Sequence, residues 1–140
     1  MSLKLHLKPG EKIIIGGAVV RCGSRPVEFM VENNVPILRQ KDIMTESAAT
    51  SPARRVYFLL QLIYIDNVSG GSIDSNCLAA YTELEQEIVT FVPSTRKFFD
   101  QINVDISAGR LYQALKSAHL LVEYEQQLLA HAGGASPGID

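Results

Sequence analysis

Residues 3–20 read LKLHLKPGEKIIIGGAVV. Leu3, Leu5 and Leu7 alternate with Lys4, His6 and Lys8, the period-two signature of a strand with one buried face. Pro9 presets the φ of a turn's first central residue and Gly10 supplies the positive φ of the second, so Lys8-Pro9-Gly10-Glu11 is predicted to reverse the chain tightly. Lys12 to Ile15 forms the next strand, Gly16-Gly17 a kink or turn, and Ala18 to Cys22 a third strand. Beyond a loop at Gly23 to Pro26, Val27 to Val31 reads as a fourth strand, and Asn33-Asn34 is expected to close a hairpin into a fifth, Val35 to Arg39. Pro36 lacks an N–H donor, which places that last segment on a sheet edge or at a bulge.

From residue 45 the period becomes helical. Ser51 is an N-cap followed by Pro52 at the first helical position, opening a helix to about Asp66. Ser69-Gly70-Gly71-Ser72 reads as a flexible break, and the Asn67-Val68-Ser69 sequon as a turn. A second helix, Asp74 to Val92, turns Leu78, Tyr81, Leu84, Ile88 and Phe91 inward, and Pro93 ends it. Ser94 is expected to cap a third, with Phe98, Phe99, Ile102 and Ile106 on one face and Gly109 closing or interrupting it. The last helix packs Leu111, Leu115, Ala118 and Val122, with Leu129 as a further candidate. The fold class is therefore α+β: a small antiparallel β-sheet or barrel-like portion over residues 1–45, an antiparallel helical bundle over 46–132, and a disordered tail over 133–140, all one cooperative unit. Sheet edges exposed at Leu3 to Leu7 and Val35 to Arg39 give a physical reason for pairing between two chains, a homodimer.

The chain has 140 residues and is 46% hydrophobic, enough for one core that buries about 68% of the unfolded surface. Its longest uncharged apolar run, Val56 to Ile65, is about half of a membrane span, and with no basic n-region and following apolar segment at the start no secretory leader is expected. A cytoplasmic protein without membrane contact is expected. Cys22 and Cys77 are far apart and show no ligand spacing, so they read as reduced, semi-buried thiols. The net charge of −2 conceals an asymmetry. Residues 1–45 hold seven basic side chains against four acids, and the remainder six against eleven. A basic front on an acidic body suits contact with nucleic-acid phosphate through the front, and ordinary surface charge is the alternative.

No nucleophile–base arrangement is legible, so no enzyme activity and no cofactor are expected. His119 and Glu123 share an i,i+4 helix face, but no third metal ligand is visible and a surface pair is expected. Arg54-Arg55 and Arg96-Lys97 lie in the first turns of predicted helices, where the macrodipole disfavours cations by about 0.3–1 kcal/mol each. Either a bound anion or partner carboxylate, or intramolecular pairing with Glu83, Glu85 or Glu87, would offset that cost. Glu83, Glu85, Glu87, Glu123 and Glu125 are read as a solvated acidic face, or as a docking surface for a basic partner.

Four segments carry a family resemblance: LKPGEKIIIGGAV at 7–19, PILRQKDI at 36–43, SPARRVYFLLQLIYID at 51–66, and the run from AGRLYQALK to LLAH at 108–131. With them the chain resembles the FlbT flagellum-biosynthesis regulators over nearly its whole length. The resemblance implies a post-transcriptional repressor of flagellin synthesis, one that binds the 5′ untranslated leader of flagellin messenger RNA and promotes its decay. LKLHLKPGEKIIIG and ILRQKDI are also similar to the carbon storage regulator family, small β proteins that bind mRNA leaders through their first and last strands. That likeness maps the RNA contacts onto Leu5 to Lys8 and Arg39 to Lys41. Two arginines of that pattern fall on Leu7 and Gln40, so Lys4, His6, Lys8, Arg39 and Lys41 are the expected substitute contacts. The alternative reading is a protein-interaction module or chaperone-like adaptor whose bundle binds flagellin or another flagellar regulatory protein.

Overall fold

A computed structural model describes residues 2–67 and 73–135. It contains β1 (Leu3–Leu7), β2 (Lys12–Ile15), β3 (Ala18–Arg21), β4 (Val27–Val31) and β5 (Ile37–Arg39), then α1 (Pro52–Asp66), α2 (Ser75–Phe91), α3 (Arg96–Ser107) and α4 (Leu111–Ala135). The architecture is α+β, with an N-terminal antiparallel β region followed by four helices. The expected break at 69–72 lies outside the described residues, as does 136–140, most of the expected tail; α4 continues to Ala135.

The strands do not form one five-stranded sheet. β1 pairs with β4 as a two-stranded ribbon, and β3, β2 and β5 make a separate sheet in that order. The Lys8–Glu11 turn forms, with Glu11 N donating to Lys8 O at 3.0 Å and Gly10 at φ 77°, but it carries the chain from the ribbon to the other sheet. At Gly16-Gly17 both residues have positive φ, 56° and 91°, the requirement of a two-residue hairpin whose twist matches its strands. Asn33-Asn34 closes no hairpin: β4 returns to β1, and β5 pairs with β2.

This pairing layers the protein. Ile13, on one face of the three-stranded sheet, joins Leu5, Leu7 and Cys22 in a small core beneath the ribbon, with Phe29, Val31 and Ile37 at its margin. Ile14 and Leu38, on the other face, belong to the helical core with Val56, Leu60, Tyr81, Phe99, Ile102, Leu115 and Leu121. The central sheet is thus shared by both cores, with α1 packed on α2 and α4, and α3 on α4.

α1 also straps the chain from β5 onward. Tyr57, Gln61 and Tyr64 lie on one helix face. The Tyr64 hydroxyl receives Ile37 N–H at 2.9 Å and returns a bond to Ile37 O at 3.0 Å. Gln61 does the same with both backbone groups of Met44, and Tyr57 donates to Asp42 O. The outer edge of β5 is therefore closed at Ile37, so the exposed Val35 to Arg39 edge expected for pairing between chains is not open there. Pro36 is buried just before β5, where its carbonyl accepts Gly16 N–H at 2.9 Å.

Helix punctuation follows the sequence closely at Ser51, whose side chain accepts Arg54 N–H, and at Asp74, which accepts Asn76 N–H. Ser94 does not cap α3. Its hydroxyl bonds Tyr124 instead, and Thr95 occupies the N-cap position without a side-chain capping bond. Phe91 and Leu129 share the apolar stripes of α2 and α4 yet are 80% and 64% exposed, so neither joins the core expected of it.

Candidate nucleic-acid interface

The five residues expected to contact RNA fall in separate settings. Lys4 and His6 stand on the exposed face of β1, and both reach Glu28 of β4, at 3.2 and 3.1 Å. The register places His6 opposite Glu28, so one carboxylate serves two basic side chains. Arg39 donates to the His6 carbonyl at 2.7 Å and lies 3.6 Å from Glu11, which ties the three-stranded sheet to the ribbon. Lys8 is exposed in the turn. Lys41 lies apart, in the 3-10 turn Gln40–Asp42, and lines a cavity of about 380 Å³ with Lys116, His119, Tyr112 and Tyr57. Leu7 is buried under the ribbon and is out of reach of any RNA. Gln40 accepts Lys12 N–H at 2.6 Å.

Glu11 organises the turn. It accepts Lys8 N–H at 2.9 Å, and that bond, opposed by partial burial and aided by Arg39, holds its carboxyl below the usual carboxylate range. A depressed folded-state pKa contributes stability above the unfolded value, and that contribution is lost as pH falls through the folded value. Glu11→Gln is therefore expected to flatten the acid limb of Tm against pH; an unchanged acid limb in thermal melts would show that Glu11 does not supply it.

At the helix starts the compensating groups lie within the chain. The Glu125 carboxylate sits on the first turn of α1, bonded to the Ser51 hydroxyl and, at 3.1 Å, to Ala53 N–H. It places negative charge where the unpaired N–H groups and the dipole favour it, next to Arg54 and Arg55. Arg54 itself reaches only Ala48 O, at 3.4 Å, and Arg55 is exposed. Arg96 lies 4.0 Å from Glu85, one of the intramolecular partners expected, while Lys97 lies over the rings of Phe98 and Tyr124 at 5.3 and 5.8 Å. Glu85 also accepts from Asn103 at 2.9 Å. Glu85 and Glu125 are therefore structural groups and not members of a solvated acidic face. His119 pairs with Glu123 at 3.4 Å.

Two cations that sequence reasoning passed over, Lys12 and Arg21, are brought directly opposite each other by the β2–β3 register. Lys116 likewise joins Lys41 only through the packing of α4 near β5. Three potential nucleophiles, Cys77, Tyr57 and Tyr81, are biased toward their protonated forms. Burial, with Asp74 and Asp66 nearby, pushes the Cys77 thiol up, and burial raises Tyr57 and Tyr81 well above the normal phenol range, with Asp42 and Glu85 adding to it. Among the described residues no group of three or more His, Cys, Asp or Glu could hold a metal ion, and no helix is long and apolar enough to cross a membrane.

These features describe a small α+β protein with five cations lacking ion pairs among the described residues of its N-terminal portion, and with Asp74, Glu85 and Glu125 capping and linking its helices. The chain belongs to the FlbT family: residues 3–129 match the family described as "Flagellar protein FlbT". It is 41% identical over 130 residues to the "Probable flagellum biosynthesis repressor protein FlbT 1" of Bradyrhizobium diazoefficiens, covering 91% of this chain and 85% of that one. It is 37% identical over 136 residues to the "Probable flagellum biosynthesis repressor protein FlbT" of Caulobacter sp. strain K31, covering 94% and 98%. With the "Flagellum biosynthesis repressor protein FlbT" of Caulobacter vibrioides the identity is 35% over 146 residues, covering 100% and 99%. No solved structure matches the chain.

Proposed function

We propose that this chain is a regulator of flagellum biosynthesis that acts in the cytoplasm by binding the 5′ untranslated leader of flagellin mRNA. Binding promotes degradation of the message and so couples flagellin translation to flagellum assembly. The observation that carries the reading is the charge partition, with seven basic against four acidic side chains in residues 1–45, on strands whose outward faces are exposed. Two acids of that portion, Glu11 and Glu28, are already committed to Arg39, Lys4 and His6, which leaves Lys8, Lys12, Arg21, Arg25 and Lys41 without ion pairs among the described residues. Membership in a family whose relatives are named as repressors supports the same reading.

Equilibrium binding of the purified chain to the flagellin leader and to a scrambled RNA of equal length, at two salt concentrations, tests it. Affinity for the leader should exceed that for the scrambled RNA and fall as salt rises, since displaced counterions set the slope. Equal or absent binding would overturn direct RNA recognition. Reversing the charge of Lys4, Lys8 and Lys41 together, with the bridging Arg39 left in place, should strongly reduce binding; retained affinity would remove these three side chains from the interface.

One observation favours a second reading. Phe91 and Leu128 border an apolar groove with Ile88, Val92 and Leu121 at one end of the bundle. Such a surface suits a protein partner, flagellin or another flagellar regulator. Co-purification of that partner should then survive ribonuclease, and its loss after treatment would count against the reading.

A further inference from the structure

The β2–β3 ladder sets Lys12 directly across from Arg21. Cys22 N–H donates to Glu11 O at 2.8 Å, so the neighbouring Glu11/Cys22 position is the hydrogen-bonded one and Lys12/Arg21 is a non-hydrogen-bonded pair. In such pairs the side chains stand closest, with Cβ atoms about 4.5–5.5 Å apart, and like charges there repel. Both residues are exposed, and neither forms an ion pair among the described residues. The contrast with the ribbon is direct. There Glu28 lies between Lys4 and His6 and offers its carboxylate to both, whereas the acid beside Lys12 in sequence, Glu11, is held by Lys8 N–H and Arg39.

A second feature adjoins Arg21 across the β3 edge, since β3 turns Val20 to the face opposite the Lys12/Arg21 pair. Between β3 and β4 runs an open groove of about 630 Å³ whose walls include Val20, Val27 and Phe29, and Arg21 and Arg25 border it. Phe29 is half-buried and Val27 exposed, so the groove offers apolar and aromatic surface to a planar guest. Cations beside such surface are what single-stranded RNA requires: phosphates take the charges and unstacked bases take the apolar faces.

We infer that Lys12 and Arg21, together with Arg25, grip the phosphates of a single-stranded RNA segment whose bases enter the groove between β3 and β4. This rests on the RNA-binding reading above and assigns it a surface distinct from the first strand. The bound phosphates supply the negative charge that the Lys12/Arg21 pair lacks within the chain. Lys4 and His6, whose side chains already reach Glu28, contribute less.

The test uses the full chain with leader RNA over a salt series, comparing the wild type, the Lys12→Gln/Arg21→Gln double variant and a Lys4→Gln/His6→Gln double variant. The first double variant should lose roughly tenfold or more in affinity, with its salt slope reduced by about 0.7 for each cation removed. Its Tm should be unchanged or higher, because a repulsive pair has gone; this separates a binding role from a structural one. Should the double variant fail to fold, Arg21→Gln alone carries the test with half the change in slope. Wild-type affinity in the folded Lys12/Arg21 variant would overturn this surface while leaving RNA binding itself intact. Absence of binding by the wild-type chain would overturn both.

Discussion

Phe99→Ala should destabilise the chain by about 3–5 kcal/mol, lowering Tm by roughly 10–17 °C for a protein of this size. Phe99 is completely buried on α3, and its ring lies 6.1 Å from that of Tyr81 on α2 at an interplanar angle of 50°. Such an offset aromatic pair adds about 0.5–1.5 kcal/mol to the value of the buried area alone. The contact is buttressed by polar groups that cannot follow a collapsing cavity. Tyr81 donates to Asn103 at 2.8 Å, Asn103 donates to Glu85 at 2.9 Å, and Arg96 completes the row at 4.0 Å. These bonds fix the spacing of α2 and α3, so the space left by the missing ring stays open and the cost falls toward the upper end of the range. Phe99→Leu fills most of it and should cost less than half as much. Urea unfolding of both variants checks the order; equal midpoints would mean that the ring is not the element holding α2 to α3.

Local signals carried most of the secondary structure in this sequence. Ser51-Pro52 and Asp74 announce their helices because a cap acts within three residues, and Pro9-Gly10 and Gly16-Gly17 announce their turns for the same reason. Strand partnership is different. The alternation of Leu3, Leu5 and Leu7 shows which face is buried but not what lies on it, and Asn33-Asn34 looks like a hairpin although β4 pairs across the sequence with β1. Glu125 illustrates the limit most sharply. Nothing near it in sequence shows that its carboxylate caps a helix 72 residues away. Phe91 and Leu129 lie on correct helical periods, but periodicity does not record whether another element covers a given turn.

The candidate interface was legible in its composition and hidden in its geometry. The excess of basic residues over positions 1–45 is plain in the sequence, but which cations are neutralised depends on the pairing of β1 with β4, which sets Glu28 against Lys4 and His6. Arg39, read as a phosphate contact, has its guanidinium engaged by the His6 carbonyl and Glu11. The Lys12/Arg21 opposition was within reach of the sequence. A two-residue Gly16-Gly17 loop pairs Ile15 with Ala18, and counting back three residues along one strand and on three along the other meets Lys12 and Arg21.

Leu38→Ala should cost about 2–5 kcal/mol, and its larger consequence concerns how the chain unfolds. Leu38 is 1% exposed on β5, paired with Ile14 on the sheet face that meets the helices. Ile13, equally buried, faces the other way into the core beneath the ribbon. A sheet that belongs to both cores cannot lose one without uncovering the other, so residues 1–45 and 46–132 are expected to unfold together. All five tyrosines, at positions 57, 64, 81, 112 and 124, lie on helices, so their fluorescence reports the bundle, with Tyr57 and Tyr64 also sensing its seam with the β region through Asp42 and Ile37. If unfolding is cooperative, Ile13→Ala, which touches no helix core residue directly, should move the tyrosine transition to lower temperature as Leu38→Ala does, with far-UV circular dichroism following the same curve. A tyrosine transition that ignores Ile13→Ala while responding to Leu38→Ala would divide the chain into two independently melting parts. The link between the β layers and the helices would then be mechanical contact without thermodynamic coupling, and a partner bound to the bundle would have no route through the sheet to an RNA held on β2 and β3.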